Sequence, residues 1–325
     1  MIAILLIALA AGSASALMFA SIISGALISL LLVYFAPLPL MVAALGWGPL
    51  AATIGGIAAA TGLGAIFGLS VCITFAITMA LPAWWLGHLA LLGRPEADSA
   101  PSDNAVAPVS PILEWYPVGR LLLWIAGFAV LITMATLLTF GTDAASITET
   151  IRSSLLRILG PLDAASSDEV RQRVDVLAMI APAAAAGSTM IMLMLNLWLA
   201  AKITATSGRM KRPWPVLKSI ELPPMTLVAL SAAIAFGFTG GLLAVLGQTV
   251  TAALLISYAL TGLAVLHTLT LALKNRALWL ICTYVVLVMS GGWLVVPLAI
   301  LGIADAIFGL RQRYLRGRPP PLPAS

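Results

Sequence analysis

Apolar residues in this chain run in long, continuous blocks, and polar residues collect in short gaps between them. The first acidic or basic side chain is Arg94; before it, only Tyr34, Cys72 and His88 carry a titratable side chain. A hydrocarbon core of about 30 Å is crossed by about 20 apolar helical residues, and no backbone amide can go unpaired inside it. The blocks lack the alternation of an outer-membrane barrel. They predict an all-α, polytopic transmembrane helical bundle of about ten spans (eight to ten): 2–19, 22–46, 49–67, 69–92, 119–142, 176–200, 223–246, 249–273, 276–291 and 293–310. Pro37 and Pro39, Gly46 and Gly48, Gly240, Gly241 and Gly247, and 290–292 stand near the expected reversals.

Composition and charge sharpen this reading. Only 9% of residues are charged, against 61% hydrophobic, where a soluble domain carries roughly a quarter charged. The net charge of +5 sits in the gaps and is explained by the positive-inside rule rather than by nucleic acid. Lys202, Arg209, Lys211, Arg212 and Lys218 mark 201–222, Lys274 and Arg276 mark a short turn, and Arg311, Arg313, Arg316 and Arg318 mark the tail. Placing all three in the cytoplasm puts both termini and 94–118 inside and 143–175 outside. The first twenty residues read as a retained helix: Ala14-Ser15-Ala16 imitates a signal-peptidase site, but no basic residue precedes it and apolar sequence follows at once.

The expected organisation is an N-terminal four-helix block (1–93), a Pro- and Ser-rich flexible cytoplasmic linker (94–118), a six-helix block (119–310) with the extracytoplasmic segment 143–175, and a basic, Pro-rich disordered tail (311–325). Within 144–160, Ile147, Ile151, Leu155, Ile158 and Leu159 share one helical face. That face suits either the outer membrane surface or packing against the start of the next span. Trp84, Trp85, Trp115, Tyr116, Trp198, Trp214 and Trp279 fall near predicted boundaries, as interfacial anchors do.

Candidate chemistry is sparse. Gly56, Ala60, Gly64 and Gly68 repeat a small residue every fourth position, the spacing of close helix packing in lipid. Intramembrane polar groups mark functional positions by default, since burying a charge there costs on the order of 3 kcal/mol. Asn196, His267 and Asp305 are the candidates, with Pro182, which interrupts the sixth span, as a further pointer to a substrate or polar pathway. Cys72 and Cys282 form neither a disulfide framework nor metal-ligand spacing. No zinc-protease helix, nucleophile elbow or carboxylate pair occurs, so no catalytic residue, cofactor or metal is assigned.

Three blocks together resemble the YybS-like family of bacterial multi-pass membrane proteins: Pro37-Leu38-Pro39-Leu40 followed by Gly46-Trp47-Gly48; Asn196-Leu197-Trp198 leading to Pro213-Trp214-Pro215 and Leu222-Pro223-Pro224; and Leu301-Gly302-Ile303-Ala304-Asp305 with Phe308 and Arg311-Gln312-Arg313. The family often has a basic residue where this chain has Trp47. The N-terminal helices are also similar, more faintly, to substrate-binding subunits of energy-coupling-factor transporters and to MreD-type proteins. The resemblance implies a multi-pass protein of the bacterial cytoplasmic membrane. A non-enzymatic, transport-type role in small-molecule binding or translocation is expected; the alternative is an envelope scaffold that recruits a membrane or cytoplasmic partner, and a membrane enzyme using His267 or Asp305 ranks last.

Overall fold

The computed structural model describes residues 1–95, 113–159, 168–215 and 220–316. Its regular secondary structure is helical apart from one two-stranded ribbon. In chain order the helices are α1 (Ile2–Ala20), α2 (Leu27–Tyr34), α3 (Pro37–Trp47), α4 (Pro49–Phe67), α5 (Leu69–Phe75) and α6 (Leu81–Ala90), then α7 (Val118–Leu138), α8 (Ala144–Leu159), α9 (Asp168–Thr206), α10 (Met225–Phe236), α11 (Gly241–Leu269), α12 (Arg276–Met289), α13 (Val295–Phe308) and α14 (Leu310–Arg316). The polytopic helical bundle expected from the apolar blocks is therefore present. Leucines and isoleucines such as Ile2, Leu17, Leu27, Leu50 and Leu69 point outward, as they do in a protein whose solvent is lipid.

The number of spans falls at the low end of the range expected. Seven helical stretches among the described residues are long and apolar enough to cross a membrane, or eight if the bent pair α13–α14 counts as one. The difference lies in the C-terminal third. There α10 has 12 residues and α12 has 14, about 18 and 21 Å at 1.5 Å per residue, short of a 30 Å core. The reversal expected near Gly247 falls earlier, at Gly240 and Gly241, which carry positive φ. Gly247 lies inside α11, where a Cβ would stand 2.6 Å from the Ala233 carbonyl and from the Gly237 amide; its smallness lets α10 fold back on α11.

By packing, the chain forms two compact units: residues 1–125 with 191–214, and residues 126–190 with 215–325. The core of the first is built on α3, whose Leu40, Met41, Ala44 and Leu45 are fully enclosed, with Phe75 and Leu86. Here α1 crosses α4 closely: a Cβ on Gly12 would land on the Gly55 carbonyl, and one on Gly55 would land on that of Ala8. A Cβ on Gly56 or Gly64 would meet Ala80 or Cys72, and Ala60 is buried. Gly68 does something else: it ends α4 at φ +95° with open space beside it, a backbone state that side chains disfavour. It is a turn residue, not a packing one.

The ends of the expected linker are ordered. Gly93–Pro95 (β1) pairs antiparallel with Leu113–Trp115 (β2), Arg94 opposite Glu114. Hydrogen bonding from the guanidinium, 2.8 Å away, holds the Glu114 carboxyl below its ordinary range. Residues 96–112 of that linker lie outside the described residues, as do 160–167 of the segment expected to be extracytoplasmic.

In the second unit α11 packs most extensively on α13. The amphipathic helix α8 packs inward: Ile147, 1% exposed, joins Leu137 and Val245 with Ile151 alongside. Arg152 of α8 also pairs with Asp175 of α9. The apolar face of α8 is covered by Leu137 of α7 and Val245 of α11 rather than by the start of the next span, which α8 reaches through the Arg152–Asp175 pair. Its start is capped by Asp143, whose carboxylate accepts from the Ser146 and Ala145 amides at 2.9 Å and is held below its ordinary range, chiefly by Ser146, as an N-cap is.

Candidate functional site

The second apolar stretch is broken in the middle, and sequence explains how. Pro37 and Pro39 have no N–H to offer the carbonyls four residues back, Val33 and Phe35. Those carbonyls take shorter-range donors instead, Ala36 N at 3.1 Å and Leu38 N at 3.0 Å. Leu38 N is thereby spent on Phe35, and the Tyr34 carbonyl loses the partner a continuous helix would give it. α2 ends at Tyr34 and α3 begins at Pro37.

Two side chains from other helices close the gap. Asn196 of α9 donates Nδ2 to the Tyr34 carbonyl at 2.7 Å and to its own helix at Met192 O, 2.8 Å. Ser15 of α1 donates its hydroxyl to the Ala36 carbonyl at 2.5 Å. Asn196 is 1% exposed and Ser15 fully buried. Both amide hydrogens of Asn196 point at carbonyls, so the orientation of the amide is settled, and Oδ1 has no hydrogen-bond partner among the described residues. A buried acceptor left unsatisfied costs about 1–3 kcal/mol. The site therefore combines one freed backbone carbonyl, at the carbonyl end of a half-helix, with one spare acceptor, both within the first compact unit.

Truncating Asn196 to alanine removes the Tyr34 partner as well. The expected loss is about 1–3 kcal/mol of stability, read as a lower midpoint in thermal unfolding of the purified protein in detergent. Asn196→Gln should recover part of it.

The other sequence candidates occupy different surroundings. Pro182 lies buried inside α9, which runs as one 39-residue helix. The interruption expected there falls at Tyr34–Pro37 instead, where two prolines two residues apart disrupt successive bonds. His267 Nε2 meets the Tyr284 hydroxyl at 2.9 Å on a partly exposed face. Asp305 is 6% exposed and accepts from Arg311 twice, from its amide at 2.8 Å and from Nε at 2.7 Å, while Arg311 Nη2 donates to the Ile220 carbonyl at 2.9 Å. The three belong to the second unit and Asn196 to the first.

The expected cytoplasmic anchors divide in the same way. Arg212 is buried, donating Nη1 to Ala90 O at 3.2 Å and Nη2 to Tyr116 O at 3.0 Å; desolvation pulls its pKa down from the ordinary value, and the carbonyl end of α6 offsets that cost. Arg209 lies over the Trp47 ring at 4.6 Å and Lys202 over Trp214 at 5.0 Å. Lys211 and Arg313 are exposed, and Lys218 lies outside the described residues. Arg212 and Arg311 are thus internal staples rather than lipid-facing charges. Arg311 also shows that the expected tail starts later, since 310–316 is helical; 317–325 lies outside the described residues.

Sequence reading overlooked Ser15 and Tyr34. Ser15 had a usable signal: with Ala8 and Gly12 it forms the buried face of α1 at spacings of four and three. Tyr34 contributes only its carbonyl, for which no side-chain signal exists. The buried Tyr258 hydroxyl, 2.6 Å from Thr226, was also invisible, because pairing between α10 and α11 depends on where the chain turns. Trp85 meets Trp124 edge to face at 5.1 Å, and Trp84 stacks on His88 at 6.3 Å; these rings fill space against each other. No group of three or more metal-ligating side chains occurs among the described residues.

A family profile described as a predicted membrane protein, DUF2232, matches residues 13–306. No curated protein matches the chain, and no solved structure does.

Proposed function

This chain belongs to the DUF2232 family of predicted membrane proteins, and we propose that it is a non-enzymatic, transport-type protein of a bacterial cytoplasmic membrane that binds a small molecule at the interrupted second span. One observation carries the reading: a span broken midway, with its freed carbonyl held by Asn196 from another helix. Irregular backbone at membrane depth persists only where protein or a polar cavity satisfies it, and discontinuous helices are where transporters place their sites. Resemblance to YybS-like proteins supports the bacterial setting. In this reading the basic segments and both termini face the cytoplasm, and lipid is the constant partner.

An enzyme draws less support, because Asp305 is engaged by Arg311 and His267 by Tyr284. A scaffold recruiting partners through 201–222 draws less as well, because Lys202, Arg209 and Arg212 of that segment are turned onto the protein's own rings and carbonyls.

The reading makes the break reachable from water. A cysteine at Phe35, with Cys72 and Cys282 replaced by serine, should react with a membrane-impermeant maleimide in intact vesicles. Only the thiolate reacts, and thiolates do not form in hydrocarbon. Labelling at 35 with none at a lipid-facing control such as Ile57→Cys is the expected result; equal silence at both positions would remove the aqueous path.

A further inference from the structure

We infer that the site at the second span selects an uncharged solute bearing N–H or O–H donors and rejects ions of either sign. The inference rests on the transport-type reading and deepens it by naming the ligand's chemistry.

The hydrogen-bonding inventory decides the polarity of the ligand. Both Nδ2 hydrogens of Asn196 are committed to Met192 and Tyr34, and the Ser15 hydroxyl hydrogen is committed to Ala36. No donor is left at these side chains. Spare capacity exists only as acceptors: Asn196 Oδ1, unpartnered among the described residues, and the second lone pair of the Tyr34 carbonyl. The Tyr34 carbonyl also lies at the negative end of α2. An anion would meet acceptors and no free donor at these side chains.

Charge decides the rest. Residues 1–93 contain no Asp, Glu, Lys or Arg, and α9 carries none between Asp175 and Lys202. A cation at Asn196 would have no carboxylate from the elements that build the site. An unneutralised charge at membrane depth costs on the order of 3 kcal/mol even on insertion scales, and one hydrogen-bonding oxygen does not offset that. A neutral donor avoids the penalty and satisfies Oδ1.

Urea and guanidinium make the discriminating pair, since both are small, planar and rich in N–H groups, and differ in charge. The full chain, reconstituted into phosphatidylcholine–phosphatidylglycerol vesicles, would be followed by stopped-flow light scattering under gradients of urea, guanidinium chloride and sodium chloride. Urea entry is expected several-fold above protein-free vesicles and close to the protein-free rate with Asn196→Leu, while guanidinium and sodium stay at background. Asn196→Gln, which keeps the amide, should retain part of the urea flux, and a monodisperse Asn196→Leu elution profile separates lost flux from lost fold. Guanidinium or sodium entry that depends on Asn196 would overturn the selectivity and leave the transport-type reading standing. Background rates for all three solutes would overturn both, leaving Asn196 as a clamp on the helix break.

Discussion

Replacing Asp305 by alanine is expected to cost about 3–5 kcal/mol of unfolding free energy, the usual penalty for leaving one partner of a buried ion pair uncompensated. The side chains of Asp305 and Arg311 are 5% and 8% exposed. The carboxylate holds both the amide and the guanidinium of Arg311, and so fixes the 64° bend between α13 and α14 across Gly309. The same guanidinium reaches the Ile220 carbonyl, so the loop before α10 loses its tie when the arginine loses its anchor. The double replacement Asp305→Leu with Arg311→Met should recover most of the loss, because a buried pair exchanged for apolar side chains is often neutral in stability. Detergent-to-denaturant titration of the purified protein, followed by circular dichroism, reads both effects. If the single and double replacements destabilise equally, the pair does not act as a unit.

Gly302→Leu is expected to destabilise by the upper end of about 1–3 kcal/mol. A Cβ at Gly302 would fall on the Tyr258 carbonyl oxygen, and one at Gly262 on the Leu298 carbonyl oxygen. These are backbone atoms, so α11 and α13 must move apart to admit the side chain. In lipid nothing hydrophobic pulls helices together, and close packing supplies the attraction that separation loses. Separation also disturbs Tyr258, whose hydroxyl ties α11 to Thr226 at the start of α10. Gly127→Leu in α7 is the control: a Cβ there meets nothing within 4 Å. The drop in thermal midpoint should appear at 302 and not at 127.

The two substitutions differ in how readable their positions were. Asp305 stands out in the sequence as an acid in an apolar helix, and pairing with a tail arginine follows from its place near Arg311. Gly302 carries no such mark. It is one of 27 glycines, and only the partner carbonyl of Tyr258 gives it a role. Gly56 and Gly64 were legible through their spacing, whereas the same spacing misassigned Gly68, because a glycine that ends a helix and one that lines it look alike in one dimension. Pro37 and Pro39 announced a disruption, yet not that Asn196, far away in sequence, would repair it. The short α10 and α12 look like full spans in one dimension because hydropathy measures how apolar a stretch is, while the helix's length depends on where Gly240, Gly241 and Gly291 reverse the chain.

The amino-acid sequence by itself determined that this protein is a helical bundle living in a membrane. That property depends on the balance of apolar and charged side chains summed over long windows, and such sums survive any rearrangement in space. Only the tertiary structure decided which carbonyl was freed, which arginines turned inward and which acceptor was left over. A hydrogen bond depends on separations of a few tenths of an ångström between residues far apart in the chain, and nothing in the order of residues encodes those distances directly.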